Sequence, residues 1–144
     1  MSRTESGDVL TDVVMRTFRL YGAFLDAAEV MTKPVGLTAA WWQVLGAVLR
    51  EPLSVSGIAR EMGLARQSVQ RIADLLVDKG LAEYLPNPAH ARAKLLRPTA
   101  DGYAAVARLR EAQHEWANRV SAQVSLEDLR TTLATMTALV AATS

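Results

Sequence analysis

The chain contains no cysteine, which excludes disulfide bonds, cysteine-bound zinc and thiol-based oxidant sensing. Neither sign of charge dominates, since the formal net charge is only +1, so any surface that binds a polyanion must be local. Long apolar runs are also missing: the longest, 39–49, has 11 residues and includes Gln43, which is too short to span a membrane. The N-terminal segment MSRTESGDVL has no apolar signal core. We therefore expect a cytoplasmic protein with no membrane partner.

Motifs for catalysis are equally scarce. The only two histidines are His90 and His114, and the pair His114-Glu115 is not followed by a second histidine at the spacing of a zinc protease. The sequence has no Gly-x-Ser-x-Gly elbow, no glycine-rich phosphate loop and no cysteine nucleophile. We therefore predict that the protein is not an enzyme, with no catalytic residues, no metal site and no cofactor.

The most specific pattern is a pair of short helices joined at a glycine. Ser54 is placed to cap the first helix, and Gly63 supplies the turn, where a residue without Cβ adopts positive φ. The second helix is predicted over 66–79, with an apolar stripe of Val69, Ile72, Ala73 and Leu76. The opposite face of this helix carries Arg66, Gln67, Gln70, Arg71 and Asp74. Gln and Arg are side chains that contact adenine and guanine edges, although in an isolated helix such a face is more often simply solvated.

A basic hairpin follows the second helix. Residues 81–85 predict a short strand, and Leu95-Leu96 begins a return strand after the loop PNPAHARAK. Between residues 86 and 100 the chain carries Arg92, Lys94 and Arg97 and no Asp or Glu. A compact basic loop suits phosphate contacts, although hairpin tips are often basic without such a role. Helix, turn, helix and hairpin in this order predict a winged helix-turn-helix that places one helix in a DNA groove.

The residues also resemble a known family. The segments LTAAWWQVL (37–45), SVSGIAREMGLARQSVQRIADLLVDKGLAEY (54–84) and RAKLLRPTADG (92–102) are similar to those of MarR-family winged-helix transcriptional regulators. With helices expected before and after them, the resemblance covers nearly the whole chain. It implies a homodimer that binds a pseudo-palindromic operator in double-stranded DNA, usually as a repressor. It further implies an effector, often a small aromatic or lipophilic anion, that changes the spacing of the two DNA-binding lobes.

Three positions depart from the pattern of that family. The wing tip usually has an acid and two arginines, whereas this chain has His90, Ala91 and Arg92. The second helix usually begins after Ser or Thr, but here the position is Ala65, a loss that typically costs about 1 kcal/mol. Gly57 replaces the Glu that would complete a capping box on the helix before it. We expect these changes to weaken or retune DNA binding without abolishing it.

The predicted DNA-binding residues come from three places. Residues 66–71 are expected to contact bases in the major groove, and the amides near Ser54 to meet a phosphate at a helix N-terminus. The wing contributes its basic residues to the backbone or minor groove. The complete predicted set is Ser54, Arg66, Gln67, Ser68, Gln70, Arg71, Arg92, Lys94 and Arg97.

The terminal segments predict long helices over 8–32 and from residue 99 onward, with a last helix starting at the capping-box-like Ser125. In the first and last of these helices the apolar residues extend beyond a single narrow stripe. The last helix also has no charged residue after Arg130. Helices over 8–32 and 100–142 are therefore expected to form a dimerisation region around a DNA-binding lobe at 37–99. The alternative is that both helices fold back onto the core of one monomer.

Four aromatic residues are candidates for an effector pocket. In the helix expected over 38–49, Trp41 and Trp42 belong to two adjacent apolar faces, both of which must be covered. The junction between lobe and terminal helices is where the resembled family binds effectors, and Tyr21 and Trp116 are predicted beside it. Core packing is the competing interpretation for each of the four.

These observations predict one mainly α domain, 1–144, with a small β-hairpin wing and N- and C-terminal dimerisation helices. The expected function is that of a sequence-specific transcriptional regulator, a repressor acting as a homodimer and responsive to a small-molecule effector. The alternative is a winged-helix protein-interaction module with weak or no DNA binding. The acids Asp74 and Asp78 on the outer helix face and the altered wing tip favour that alternative.

Overall fold

The computed structural model describes every residue, 1–144, as six α-helices and a small three-stranded sheet. The helices are α1 Glu5–Thr32, α2 Ala39–Ala47, α3 Val55–Met62, α4 Arg66–Asp78, α5 Ala100–Ser121 and α6 Leu126–Thr143. The strands are β1 Leu53–Ser54, β2 Ala82–Leu85 and β3 Leu95–Pro98. These elements confirm the predicted mainly helical fold with a hairpin wing. None of the helices combines the length and the hydropathy that crossing a bilayer requires.

The chain forms two compact units, 1–109 and 110–144. In the first unit, the core gathers one face of each of α2, α3 and α4 against the sheet. Its fully buried large side chains are Val44, Leu45, Val48, Ile58, Val69, Leu76 and Leu96. A smaller cluster places Ala105 and Leu109 of α5 against Leu37, with Trp41 and Trp42 packed around them. This packing holds α4 rigidly against the rest of the unit, so that its polar face is presented outward.

The predicted helix boundaries are largely confirmed by their capping bonds. The Oγ1 atom of Thr38 accepts from the amide of Trp41 at 3.1 Å, and the Oγ atom of Ser125 accepts from the amide of Asp128 at 3.1 Å. Helix α2 ends at Ala47 rather than at residue 49, because the amide of Val48 turns back to the carbonyl of Leu45 at 3.2 Å. Side-chain caps are local signals, which explains why the sequence indicates them well.

The sheet differs from the prediction of a simple hairpin. A third strand, β1, pairs antiparallel with β3, giving the order β1-β3-β2. Leu53 lies opposite Leu96, and Ser54 opposite Leu95. The sequence does not show this strand because two residues are too few to display a period of two. Strand β1 joins the start of α3 to the wing and so fixes their separation.

The second unit contains helix α6, and its side chains are exposed except for the partly buried Leu139. Large apolar side chains recur along one stripe of this helix at positions 126, 129, 133, 136 and 140, with Leu133 68% exposed and Val140 66% exposed. In the first unit, α1 likewise leaves Met15 and Phe18 exposed, at 61% and 68%. Each of these helices therefore carries an apolar surface that its own chain leaves open to solvent.

Candidate nucleic-acid interface

The helix-turn-helix is built by α3, a glycine turn and α4. The Oγ atom of Ser54 accepts from the amide of Gly57 at 3.1 Å and caps α3, as predicted. Gly63 ends α3 with φ 64°, in the left-handed region that favours glycine. Helix α4 begins at Arg66 after Ala65, which makes no side-chain capping bond. The predicted turn and the missing cap are both confirmed.

Helix α4 buries the predicted apolar stripe and exposes the predicted polar face. Val69, Ile72, Ala73 and Leu76 are buried in the core. The exposed residues are Arg66, Gln67, Gln70, Arg71 and Asp74. Because one face of α4 is fixed by packing, the direction in which these side chains leave the protein is fixed too.

An open groove of about 820 Å³ lies between the start of α3, the outer face of α4 and the wing. It is lined by Ser54, Val55, Ser56, Arg66, Gln67, Gln70, Tyr84, His90, Arg92, Ala93 and Lys94. Three of these side chains are cationic and none is acidic. Six residues of the predicted DNA-binding set are thus brought together around one concave surface. A groove lined by cations and amides suits a phosphate backbone with base edges beside it.

The wing loop is held by hydrogen bonds from two of its own side chains. The amide group of Asn87 donates from Nδ2 to the carbonyl of Ala93 at 2.9 Å, while its Oδ1 accepts from the amide of Ala89 at 3.0 Å. The Nδ1 atom of His90 accepts from the amide of Ala93 at 3.2 Å. His90 therefore supplies a hydrogen-bond acceptor at the position where the resembled family has an acid.

A second hydrogen-bonded group joins α4 to strand β2. The hydroxyl of Tyr84 donates to Oδ1 of Asp74 at 2.6 Å, and Nε2 of Gln70 donates to the same oxygen at 3.1 Å and to the Tyr84 hydroxyl at 3.0 Å. Burial, followed by the hydrogen bond and charge of Asp74, raises the pKa of Tyr84 to about 12. The phenol is therefore protonated at neutral pH. We call Gln70, Asp74 and Tyr84 the amide clamp.

The sequence did not indicate the roles of Tyr84 and Asn87. Tyr84 follows the alternation of a strand and looks like an ordinary half-buried strand residue, and its partners lie 10 and 14 positions away. Asn87 lies between two prolines. Asn side chains in turns often accept from the backbone amide two residues later, as Asn87 does from Ala89, so this contact could have been predicted from the sequence.

Three predicted residues do not line the groove. Arg71 lies on an adjoining surface of α4, which shares Gln67 and Gln70 with the groove and also includes Asp74, Leu75 and Asp78. Arg97 is paired with Glu83 on the neighbouring strand, its Nε donating to Oε1 at 2.6 Å. Ser68 is partly buried on α4. A DNA role for these three stays a prediction.

The residues predicted for an effector pocket are distributed over both units. In the first unit, Trp41 packs against both apolar clusters and Trp42 against the smaller one, while the hydroxyl of Tyr21 accepts from Nε2 of Gln43 at 3.4 Å. Trp116 belongs to α5 in the second unit and is partly buried. Core packing accounts for the two indoles of α2, and a pocket among the four stays a prediction.

Comparison with known proteins finds a family similarity over the helix-turn-helix. A sequence model of the MarR family matches residues 35–93, which include α2, the helix-turn-helix and most of the wing. Over these residues the chain is similar to the MarR family. Proteins of Mycobacterium tuberculosis and Mycobacterium bovis, both described only as uncharacterized, are each 40% identical to it over 95 residues. That match spans 66% of this chain and 66% of each relative.

Solved structures of other proteins share the fold along most of the chain. CouR from Rhodococcus jostii, bound to p-coumaroyl-CoA, is 21% identical with a TM-score of 0.78, covering 90% of this chain and 92% of CouR. A mutant MarR from E. coli in complex with operator DNA is 18% identical with a TM-score of 0.70, covering 95% of this chain and 99% of that protein. Members of the MarR family are DNA-binding transcription regulators, not enzymes, which agrees with the class predicted from the sequence.

Proposed function

We propose that the protein acts as a homodimer that binds a pseudo-palindromic operator through α4 and the wing and represses transcription. The observation that carries the DNA-binding part is the groove between α3, α4 and the wing, with its cations and amides and no acid. In this arrangement α4 enters the major groove, and Arg92 and Lys94 meet the backbone or the adjacent minor groove. The capped N-terminus of α3 at Ser54 offers amides to a further phosphate.

The test is fluorescence anisotropy of the purified protein on the DNA upstream of its own gene, beside a scrambled duplex, over a salt series. We expect tight binding to the native fragment that weakens steeply with salt, because binding releases counterions from the phosphates. Arg92→Ala should weaken all sequences and flatten the salt slope by about two units, one for each protomer of the dimer, if it removes a phosphate contact. Arg108→Ala, an exposed cation of α5 that does not line the groove, is the matched control.

Two results of this titration would contradict the proposal. The first is equally weak binding to the native fragment and to the scrambled duplex, together with a selection from random duplexes that enriches no sequence. That result would favour the alternative of a protein-interaction module. Equal salt slopes for Arg92→Ala and the unmodified protein would exclude a phosphate contact by Arg92.

The homodimer is supported by the exposed apolar stripes of α1 and α6. Monomeric proteins rarely leave contiguous apolar patches of this kind open to water. A two-fold dimer would cover them and present two copies of α4 to successive major grooves. Sedimentation equilibrium tests this step: we expect a dimer for the native chain and dissociation for Leu133→Glu. Thr131→Glu, an exposed position off the stripe, is the control, and a native monomer at micromolar concentration would overturn the proposal.

Release by a small aromatic or lipophilic effector is part of the same proposal. It is supported by the relative CouR, whose structure contains p-coumaroyl-CoA, and by the aromatic residues of α2. A ligand changes DNA affinity only if it prefers one spacing of the two lobes. We expect p-coumaroyl-CoA, as a first probe, to lower anisotropy on the operator and to change tryptophan fluorescence. No change in either signal would exclude this probe and its close analogues as effectors.

A further inference from the structure

We propose that Asp74 and Tyr84 hold the side-chain amide of Gln70 in one orientation, so that Gln70 contacts DNA only as a hydrogen-bond acceptor. It would then recognise the exocyclic amino group of adenine or cytosine. This inference rests on the proposed DNA-binding function. It assigns a specificity-determining role to Gln70 and positioning roles to Asp74 and Tyr84.

The geometry places the amide clamp at the rim of the groove. Gln70 is exposed and lines both the groove and the adjoining surface that includes Arg71. Asp74 lies one helical turn further along the same helix. Tyr84 reaches this pair from β2 and is partly buried. The clamp thus links the helix that would enter the major groove to the base of the wing.

The orientation of the amide follows from the chemistry of its partners. A carboxylate has no proton and can only accept, so the atom of Gln70 that faces Asp74 must be the nitrogen. The Tyr84 hydroxyl uses its single proton at 2.6 Å from Asp74 and can therefore only accept from Gln70. A flipped amide would bring its carbonyl oxygen against both acceptors. A tyrosine hydroxyl is protonated at neutral pH, so the proton that it donates to Asp74 stays in place.

The two acceptors of the Gln70 nitrogen lie at 3.1 Å and 3.0 Å and only 2.6 Å from each other, so its protons, which diverge by about 120°, reach them through bent hydrogen bonds. The carbonyl oxygen keeps its two lone pairs. An unrestrained glutamine pairs with adenine by donating to N7 while accepting from N6, and the clamp removes the donating half of that contact. Adenine and cytosine each offer an amino group in the major groove, whereas guanine and thymine offer an oxygen acceptor there. The clamped Gln70 should therefore accept the first two bases and reject the last two.

The clamp also gives Asp74 a role in a DNA-binding surface. A free carboxylate beside the groove would repel phosphate. Here Asp74 accepts two hydrogen bonds through one oxygen, and these partly offset its charge locally. Its negative charge is what fixes the direction of the Gln70 amide. The presence of an acid on this face is therefore consistent with base recognition.

The experiment begins by selecting operators from random duplexes with the full chain. The position that loses its base preference in Gln70→Ala identifies the contacted base. Modified bases are then placed there and affinity is measured by anisotropy. At an adenine, 7-deazaadenine removes N7 and purine removes the amino group; at a cytosine, 2-pyrimidinone removes the amino group. We expect loss of N7 to leave affinity nearly unchanged, and loss of the amino group, which removes one hydrogen bond, to weaken binding by roughly threefold to tenfold in each half-site.

Tyr84→Phe supplies a matched variant. It removes only the hydroxyl and so frees one proton of the Gln70 nitrogen, which should add sensitivity to N7 and shift the preference toward adenine over cytosine. Tyr103→Phe, on an exposed part of α5, should leave the base preference unchanged. A purely structural role for Tyr84 would alter stability without altering which base is selected.

Three results would overturn the inference. In the first, the native protein loses as much affinity for 7-deazaadenine as for purine, which would mean that Gln70 contacts both N7 and the amino group. A selected operator whose base preferences are the same for Gln70→Ala contains no Gln70 contact. If the native chain enriches no sequence at all, the proposed function itself fails and this inference fails with it, an outcome distinct from the other two.

Discussion

Replacing Gly102 by alanine should destabilise the protein, although glycine-to-alanine changes inside helices normally stabilise them by about 1 kcal/mol. Gly102 lies buried in the first turn of α5. A Cβ atom built there would overlap the carbonyl oxygen of Leu81 and lie 3.1 Å from its carbonyl carbon and 3.2 Å from Cβ of Pro98. The nearest obstacle is backbone, which cannot rotate away as a side chain would. The chain must therefore shift either α5 or the entry to β2.

The size of the effect follows from what that shift disturbs. The carbonyl of Leu81 accepts from the amide of Thr99 at 3.1 Å, and the Thr99 hydroxyl donates to the carbonyl of Gly80 at 2.6 Å. Overpacking typically costs about 1–3 kcal/mol, and loss of one backbone hydrogen bond about 0.5–1.5 kcal/mol. After subtracting the helix-propensity gain, the net loss is about 1–3 kcal/mol. For a chain of this length that lowers Tm by roughly 3–10 °C.

The assay is thermal and urea unfolding at one fixed protein concentration, with Gly46→Ala as the matched control. Gly46 is also helical, in α2, but a Cβ atom there meets nothing within 4 Å. That variant should be more stable than the parent by up to about 1 kcal/mol. The two substitutions are chemically identical and should have opposite signs. A Gly102→Ala protein that is as stable as its parent would refute the close approach of α5 to Leu81.

Three further predictions concern α4 and the wing. Ala65→Ser should stabilise by about 1 kcal/mol, measured by urea unfolding, because α4 lacks a side-chain N-cap; an unchanged midpoint would contradict this. His90→Ala should weaken DNA binding in the anisotropy titration by removing the side-chain acceptor of the Ala93 amide, which leaves that amide only the His90 carbonyl at 3.3 Å, whereas His90→Asp should preserve binding; equal losses would contradict the role of the side-chain acceptor. Because the pKa of Tyr84 is raised in the folded state from 10.0 to about 12, its contribution is fully present below pH 10 and is lost as pH rises through 12. The urea midpoint of Tyr84→Phe should therefore fall less over that range than that of the parent, and parallel declines would contradict the assignment.

Features that depend on neighbouring residues were predictable from the sequence. Ser54 caps α3 through an amide three residues on, and Gly63 adopts positive φ where the turn requires it. The buried stripe of α4 follows from a period of 3.6 residues and was identified in full. These signals lie within one or two helical turns, so no knowledge of the tertiary fold is needed to interpret them.

Features that depend on register between distant elements were not predictable. Arg97 looked like a free cation of the wing, but the β2–β3 register places it directly opposite Glu83. The loop between the two strands does not determine that register from composition alone. The amide clamp could not be predicted from the sequence for the same reason. The contact between Tyr84 and Asp74 depends on how β2 pairs and how α4 packs against it. Sequence patterns therefore located the interface but not the contacts that would orient its amides.

A two-fold dimer would give the Gln70 contact a consequence that a single lobe cannot have. Each half-site would place the same base against the same clamped amide, so the free energies of the two contacts should add, because the sites are far apart. Substituting purine for the contacted adenine in one half-site should then weaken binding by some factor, and substitution in both by the square of that factor. A monomer on one half-site would respond to only one of the two changes. Competition anisotropy with the four duplexes measures all these factors, and a second substitution without effect would contradict symmetric recognition while leaving the clamp intact.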